Sequence, residues 1–250
     1  MDLHKSKPWH GVREFLKEYA IIVVGVLTAL AFEQVVQAID WQRRVRDAEH
    51  DFHVELGENA RNAYSRLVTV RCATAQFDAM RAALVANRDQ GTPATGISTY
   101  RRGNRSWFTD SWEAARSLQL TGHMPTERLR DYSLAYSLAV SFREWQRREQ
   151  DFKPGVDTLS DNGGRLTAQE RDRLFLALHE LEEHSNQLDN IAFRYLEAVR
   201  PMGVTVDAKL KGEILQGHRQ REGAYAQDPT PWLNDGDKAV GWLLSRKGEP

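Results

Sequence analysis

Cysteine occurs once, at Cys72, which excludes a disulfide framework within the chain and any zinc centre built from several thiolates. Glycine (17) and proline (8) are sparse in 250 residues. That is too few for a chain assembled from many short strands, so a helical architecture is expected. Neither sign of charge is in excess: 34 Lys and Arg against 35 Asp and Glu leave a net charge of −1, with no bulk attraction to nucleic acid. No internal repeat and no low-complexity tract is present. What remains is globular in composition, 41% hydrophobic and 28% charged, which rules out a wholly disordered chain. The length suits one domain, or one domain with an anchor and a tail.

One apolar run stands apart. Tyr19 to Phe32 carries no charge, and as a helix it spans about 21 Å, short of a bilayer core of about 30 Å. Extended through Val35, Val36 and Ile39 it reaches 21 residues, enough to cross. Trp9, Tyr19 and Trp41 flank it where interfacial aromatics are favoured. A retained anchor in contact with the bilayer through Tyr19–Ile39 is the expectation. Two alternatives compete with it: a cleaved signal peptide, for which Ala29-Leu30-Ala31 offers a small-x-small site, and a buried soluble helix. Asp2, Glu14 and Glu18 in a long leader weigh against cleavage. Lys5, Lys7, Arg13 and Lys17 precede the run and Arg43, Arg44 and Arg46 follow it, a balance that favours an N-terminus inside and a periplasmic C-terminal domain. The expected location is the bacterial inner membrane, crossed once. Gly25 and Ala29 form a small-xxx-small pair, and Glu33 lies on the same stretch; these three are the candidate helix–helix contacts in the membrane. Glu33 also reads as a marker of the headgroup boundary.

Beyond Trp41 an amphipathic pattern begins. Val45, Ala48, Phe52, Leu56, Ala60, Ala63, Leu67, Val70, Thr74, Phe77, Met80 and Leu84 recur at steps of three and four, predicting one helix to about Asn87 that continues the membrane helix as a stalk. Residues 88–106 read as a long loop. A short helix is predicted over Trp107–Leu120, another over Thr126–Phe152, with turns at Lys153–Asp157 and Asp161–Gly164. Thr167-Ala-Gln-Glu170 is a capping box, opening a helix striped by Leu174, Leu178, Leu181, Leu188, Ile191, Tyr195 and Val199 and closed at Pro201. The fold class expected is all-α: a transmembrane helix continuing into a long amphipathic stalk helix packed in an antiparallel helical bundle. The division is 1–40 for tail and anchor, 41–200 for the bundle with its loop 88–106, and 201–250 for a tail with short helices at 208–224 and 232–244 and a hinge at Asp228-Pro-Thr-Pro.

The patterns that suggest chemistry fail on spacing or on ligand type. His179-Glu-Leu-Glu-Glu-His184 spaces its histidines by five, about 140° around a helix, whereas a zinc-binding helix needs four. His50 and His53 have no second Glu-x-x-His partner. A calcium loop centred on Gly163 would need Thr158 and Gln169 as ligands, both of the wrong type. Cys72 reads as a small buried hydrophobe. No catalytic residue, cofactor or metal is therefore expected. Arg101, Arg102 and Arg105 form a basic cluster in the loop that reads as solvated, or as a grip for phosphate or anionic lipid. With Trp107, Trp112, Tyr132 and Tyr136 they are the candidate interface or pocket; the aromatics serve equally as core.

The stretch Trp9-His-Gly-Val-Arg-Glu-Phe-Leu, the run Ile21–Glu33, Trp41-Gln-Arg-Arg and Ser111-Trp-Glu-Ala-Ala-Arg-Ser-Leu together resemble an uncharacterised group of bacterial proteins. Over roughly residues 9–200 the resemblance implies one N-terminal membrane helix ahead of a helical domain. It implies no activity. The expected function is a non-enzymatic accessory or scaffold subunit of a membrane assembly, partnered by a second copy or another membrane protein and not by nucleic acid. The alternatives are a periplasmic ligand-sensing bundle that signals through a partner, and a hydrolase relying on His179 or His184.

Overall fold

The computed structural model describes residues 11–91, 100, 102–161, 166–223, 228 and 229. Among them there is no strand; six α-helices and two short 3₁₀ turns make up the fold. The helices are α1 (Val12–Val68), α2 (Val70–Gln90), α3 (Asp110–Ser117), α4 (Thr126–Asp161), α5 (Ala168–Val199) and α6 (Ala208–Glu222). The 3₁₀ turns lie at Leu120–His123 and Arg200–Met202.

Helix α1 is 57 residues long, about 85 Å at 1.5 Å per residue. Its first part is packed against no other described element. From Gly11 to Asp40 every residue is exposed except the half-exposed Val23, and Ile21, Ile22 and Phe32 are 72, 64 and 72% exposed. The segment is long and apolar enough to cross a membrane by length and composition. Trp41 is the first residue to meet the head, its ring stacked 3.9 Å from that of His123 in the first 3₁₀ turn. From Val45 onward the stripe read from the sequence turns inward: Phe52, Leu56, Ala60, Ala63 and Leu67 are all buried.

The stripe does not belong to one helix, as expected, but to two. Thr69 interrupts it with φ −99° and ψ 6°, and α2 then runs to Gln90, three residues past the predicted end. The cause is local competition for a carbonyl. Arg66 O takes donors outside the i→i−4 pattern, from the Thr69 amide (3.1 Å), the Thr69 hydroxyl (2.8 Å) and Arg102 Nη2 (2.9 Å). Helix α2 ends at Gly91, whose φ of +65° lets its amide close onto Asn87 O at 3.2 Å.

Three further expectations shift. Helix α3 starts at Asp110 and not Trp107, because residues 102–109 are laid against α1 and α4 by side chains. Helix α4 continues through the turn predicted at Lys153–Asp157 as far as Asp161, with Pro154 inside it; packing against α5 overrides the lost amide. Helix α6 ends at Glu222. The element predicted at 232–244, residues Asn162–Gly164 of the second turn, and Arg101 lie outside the described residues. The capping box is present: Glu170 N donates to Thr167 Oγ1 (3.2 Å) and Thr167 N to Glu170 Oε2 (2.8 Å).

Two apolar cores result. The larger joins the later half of α1 to α3, the first half of α4 and the later half of α5, with Val204 and Val206. The smaller joins α2 to Tyr100, Val156, Leu174, Leu178 and Leu181. Between them the chain places charge.

Candidate functional site: the ionic seam and its basic pocket

The seam is built on α1, α4, α5 and the segment that follows α2. Arg66 Nε donates to Asp189 Oδ1 at 2.9 Å and Nη2 to Glu149 Oε1 at 2.9 Å. Arg102 Nη1 donates to the same Asp189 oxygen at 2.7 Å and to Ser185 Oγ at 2.8 Å. The Tyr100 hydroxyl donates to Glu149 at 2.7 Å. Arg66, Arg102, Glu149, Ser185 and Asp189 are each less than 10% exposed. Among the described residues two guanidinium groups thus face two carboxylates. Burial alone would pull the Arg66 guanidinium down, but Asp189 and Glu149 outweigh it and hold the group above its ordinary value. The Tyr100 phenol is pushed up, chiefly by burial. Such a network specifies one arrangement more than it adds net stability.

Segment 102–109 has no ladder to join, so side-chain amides satisfy its backbone. Asn59 accepts from Phe108 N (2.9 Å) and donates to Phe108 O (2.8 Å); Asn62 donates to Ser106 O (2.8 Å). On the other side Gln146 accepts from Arg105 N (3.2 Å) and donates to Arg105 O (3.0 Å). This clamp fixes where Arg105 stands. Its Nη2 donates to Ser65 Oγ at 2.9 Å, and Ser65 is also 2.9 Å from His218 Nε2 of α6. Around them lies a pocket of about 40 Å³, partly open to solvent, lined by Ser65, Arg66, Thr69, Arg102, Gly103, Arg105, Phe142, Gln146 and His218.

The residues singled out from the sequence separate accordingly. Arg102 is not solvated but 7% exposed, locked into the seam; Arg105 lines the pocket. Trp107, Trp112, Tyr132 and Tyr136 are interior side chains, 4, 8, 3 and 1% exposed. They form the aromatic centre of the larger core, where Trp107 stacks on Phe142 at 4.1 Å and Trp112 on Tyr136 at 5.2 Å. Burial, then Glu55, pushes the Tyr136 phenol up; burial, then Glu49, raises that of Tyr132 to about 12.

Gly25, Ala29 and Glu33 lie on the exposed arm. Glu33 accepts from Gln37 at 3.3 Å, one turn on. Cys72 is half-buried rather than buried, 3.7 Å from Gln76 Nε2. His53 sets its ring nitrogens against Glu49 O and Met202 O. His184 sets Nδ1 on Glu180 O and packs its ring on Trp145 and Phe152, while His179 is exposed. Among the described residues no three His, Cys, Asp or Glu side chains group as a metal site requires. Ser65 and His218 are paired, but Ser65 sits inside α1, where the backbone amides are spent on the helix, and its oxygen is already held by Arg105.

Sequence reasoning missed Asn59, Asn62, Gln146, Glu149, Ser185, Asp189 and His218. The one available signal was polar residues interrupting the apolar stripes: Asn59 and Asn62 beside Ala60 and Ala63, Ser185 and Asp189 beside Leu181 and Leu188. No family model matches this chain, and no curated protein or solved structure matches it.

Proposed function

We propose that the protein is a single-pass protein of the bacterial inner membrane, with its helical head in the periplasm, serving as a non-enzymatic accessory or scaffold subunit of a membrane assembly. One observation carries this reading. The apolar arm, whose Tyr19–Ile39 stretch has no described residue packed against the head, is continuous with a helix that buries Phe52 and Leu56 and then nearly every residue from Asn59 to Val68. A monomer in water rarely exposes an apolar patch beyond a few hundred Å², whereas in a bilayer the same surface is solvated by lipid and the helical backbone needs no other partner. In the head, α4 and α5 meet in opposite senses, Glu149 by Ser185 and Gly155 by Ala177. That supports an antiparallel bundle. Gly25 and Ala29 offer a close-approach face to a second copy or to another membrane protein.

The test is extraction followed by capture. The full chain should stay in the membrane pellet through an alkaline wash, leave it in mild detergent, and crosslink to itself or to a membrane protein in native membranes. Alkaline phosphatase fused after Pro250 should be active. Release by the wash alone, or a strictly monomeric and partnerless protein in detergent, would overturn the reading. A ligand-responsive role is favoured by one separate observation, the partly open pocket beside Arg105.

A further inference from the structure

The pocket beside the α1–α2 break holds about 40 Å³, more than the ~10–15 Å³ that a single water requires. Its electrostatics are lopsided. Arg66 and Arg102 have their charges matched by Glu149 and Asp189 in the seam. Arg105 has no carboxylate partner among the described residues. One N–H of its Nη2 goes to Ser65, which leaves Nε, Nη1 and the second Nη2 hydrogen without an acceptor there. Burial pulls its guanidinium below the ordinary value, and the nearby cations Arg221 and Arg61 add to that. Arg61 is paired with Glu58 at 3.4 Å, whereas Arg221 has no ion pair among the described residues. One unmatched guanidinium, that of Arg105, therefore faces a partly open cavity with Ser65, Gln146 and His218 in its wall, and Arg221 lies outside that lining.

The geometry points to a binding site for a phosphate group, supplied as free phosphate or as the terminal group of a small soluble monoester, with Arg105 as the principal ligand. A guanidinium presents paired N–H donors that match phosphate oxygens. The pocket has room for the phosphoryl group, and its opening leaves any organic portion in solvent. A bilayer headgroup carries the same chemistry, but Ser65 lies 26 residues beyond Ile39 on one unbroken helix, about 39 Å along its axis. That distance favours the soluble source. The site is independent of the scaffold role: it stands whether or not the arm has a protein partner.

The experiment uses the full chain in phosphatidylcholine nanodiscs. Titration with inorganic phosphate should give saturable binding by calorimetry and raise Tm beyond the effect of potassium chloride at equal ionic strength. Arg105→Gln should weaken binding at least tenfold, with Arg130→Gln, exposed at the far end of α4, unchanged. Arg105→Lys should fall between parent and Arg105→Gln; should Arg105→Gln fail to fold, Arg105→Lys decides the matter alone. Absence of phosphate-specific binding, or undiminished binding in these variants, would overturn the assignment. In a second arm without phosphate, phosphatidylglycerol replaces part of the lipid. An Arg105-dependent rise in Tm in that arm would overturn the soluble source in favour of a headgroup.

Discussion

Helix α1 carries two apolar lengths that differ in arrangement more than in content. Along the arm, Ile21, Ile22, Val24, Leu27 and Leu30 surround the axis and are all more than half exposed. Along the head, Phe52, Leu56, Ala60 and Ala63 occupy one stripe and are fully buried, with Asp51, Glu58 and Arg61 on the other side. Apolar residues at helical spacing need protein on one side only, whereas apolar residues all round need an apolar surrounding. Two different apolar arrangements thus occur within one continuous hydrogen-bonded element.

The contrast can be broken most severely in the head. Asp189→Leu leaves Arg66 and Arg102 facing one carboxylate, and should destabilise the head by about 3–5 kcal/mol in urea unfolding. Leu56→Ala removes a fully buried side chain and should cost about 2–5 kcal/mol in the same measurement. On the arm, Leu27→Arg should leave that unfolding curve unchanged yet oppose membrane insertion by about 2.5–3.5 kcal/mol, read as loss of the chain from the membrane pellet. Thr167→Ala removes the cap of α5 and should cost about 1 kcal/mol. Ile22→Ala, on the exposed arm, should shift head stability by less than about 0.5 kcal/mol; a loss as large as that of Leu56→Ala would mean that the arm packs on the head.

Alkaline pH sharpens the same contrast. Folding raises the Tyr132 phenol to about 12 and also lifts Tyr100, Tyr136 and Tyr195, so the folded state keeps protons that the unfolded chain loses near 10. Their contribution is fully present below about pH 10 and is lost as pH rises through the folded values. The urea midpoint should fall over that interval, tracked by tyrosinate absorbance.

Periodicity made the helices legible. The stripes of α1, α2 and α5 and the Thr167–Glu170 cap could be read directly, because burial and capping leave local signatures. The break at Thr69 left none, since an ordinary threonine interrupts the helix only where Arg102, 33 residues later, competes for a backbone carbonyl. Arg102 itself looked solvated, because its partner Asp189 is 87 residues away and no spacing rule links them. Part of the basic pocket was visible as Arg102 and Arg105. The rest depends on Ser65, Gln146 and His218 meeting in space from three different helices.

Helix α1 has no proline between Val12 and Val68, and its break at Thr69 comes only after the head has been reached. Arm and head therefore share one shaft without a swivel. Any roll of the arm about its own axis has to drag Phe52 through the rings of Trp112, Tyr132 and Tyr136 that enclose it, so torque applied at one end is felt at the other.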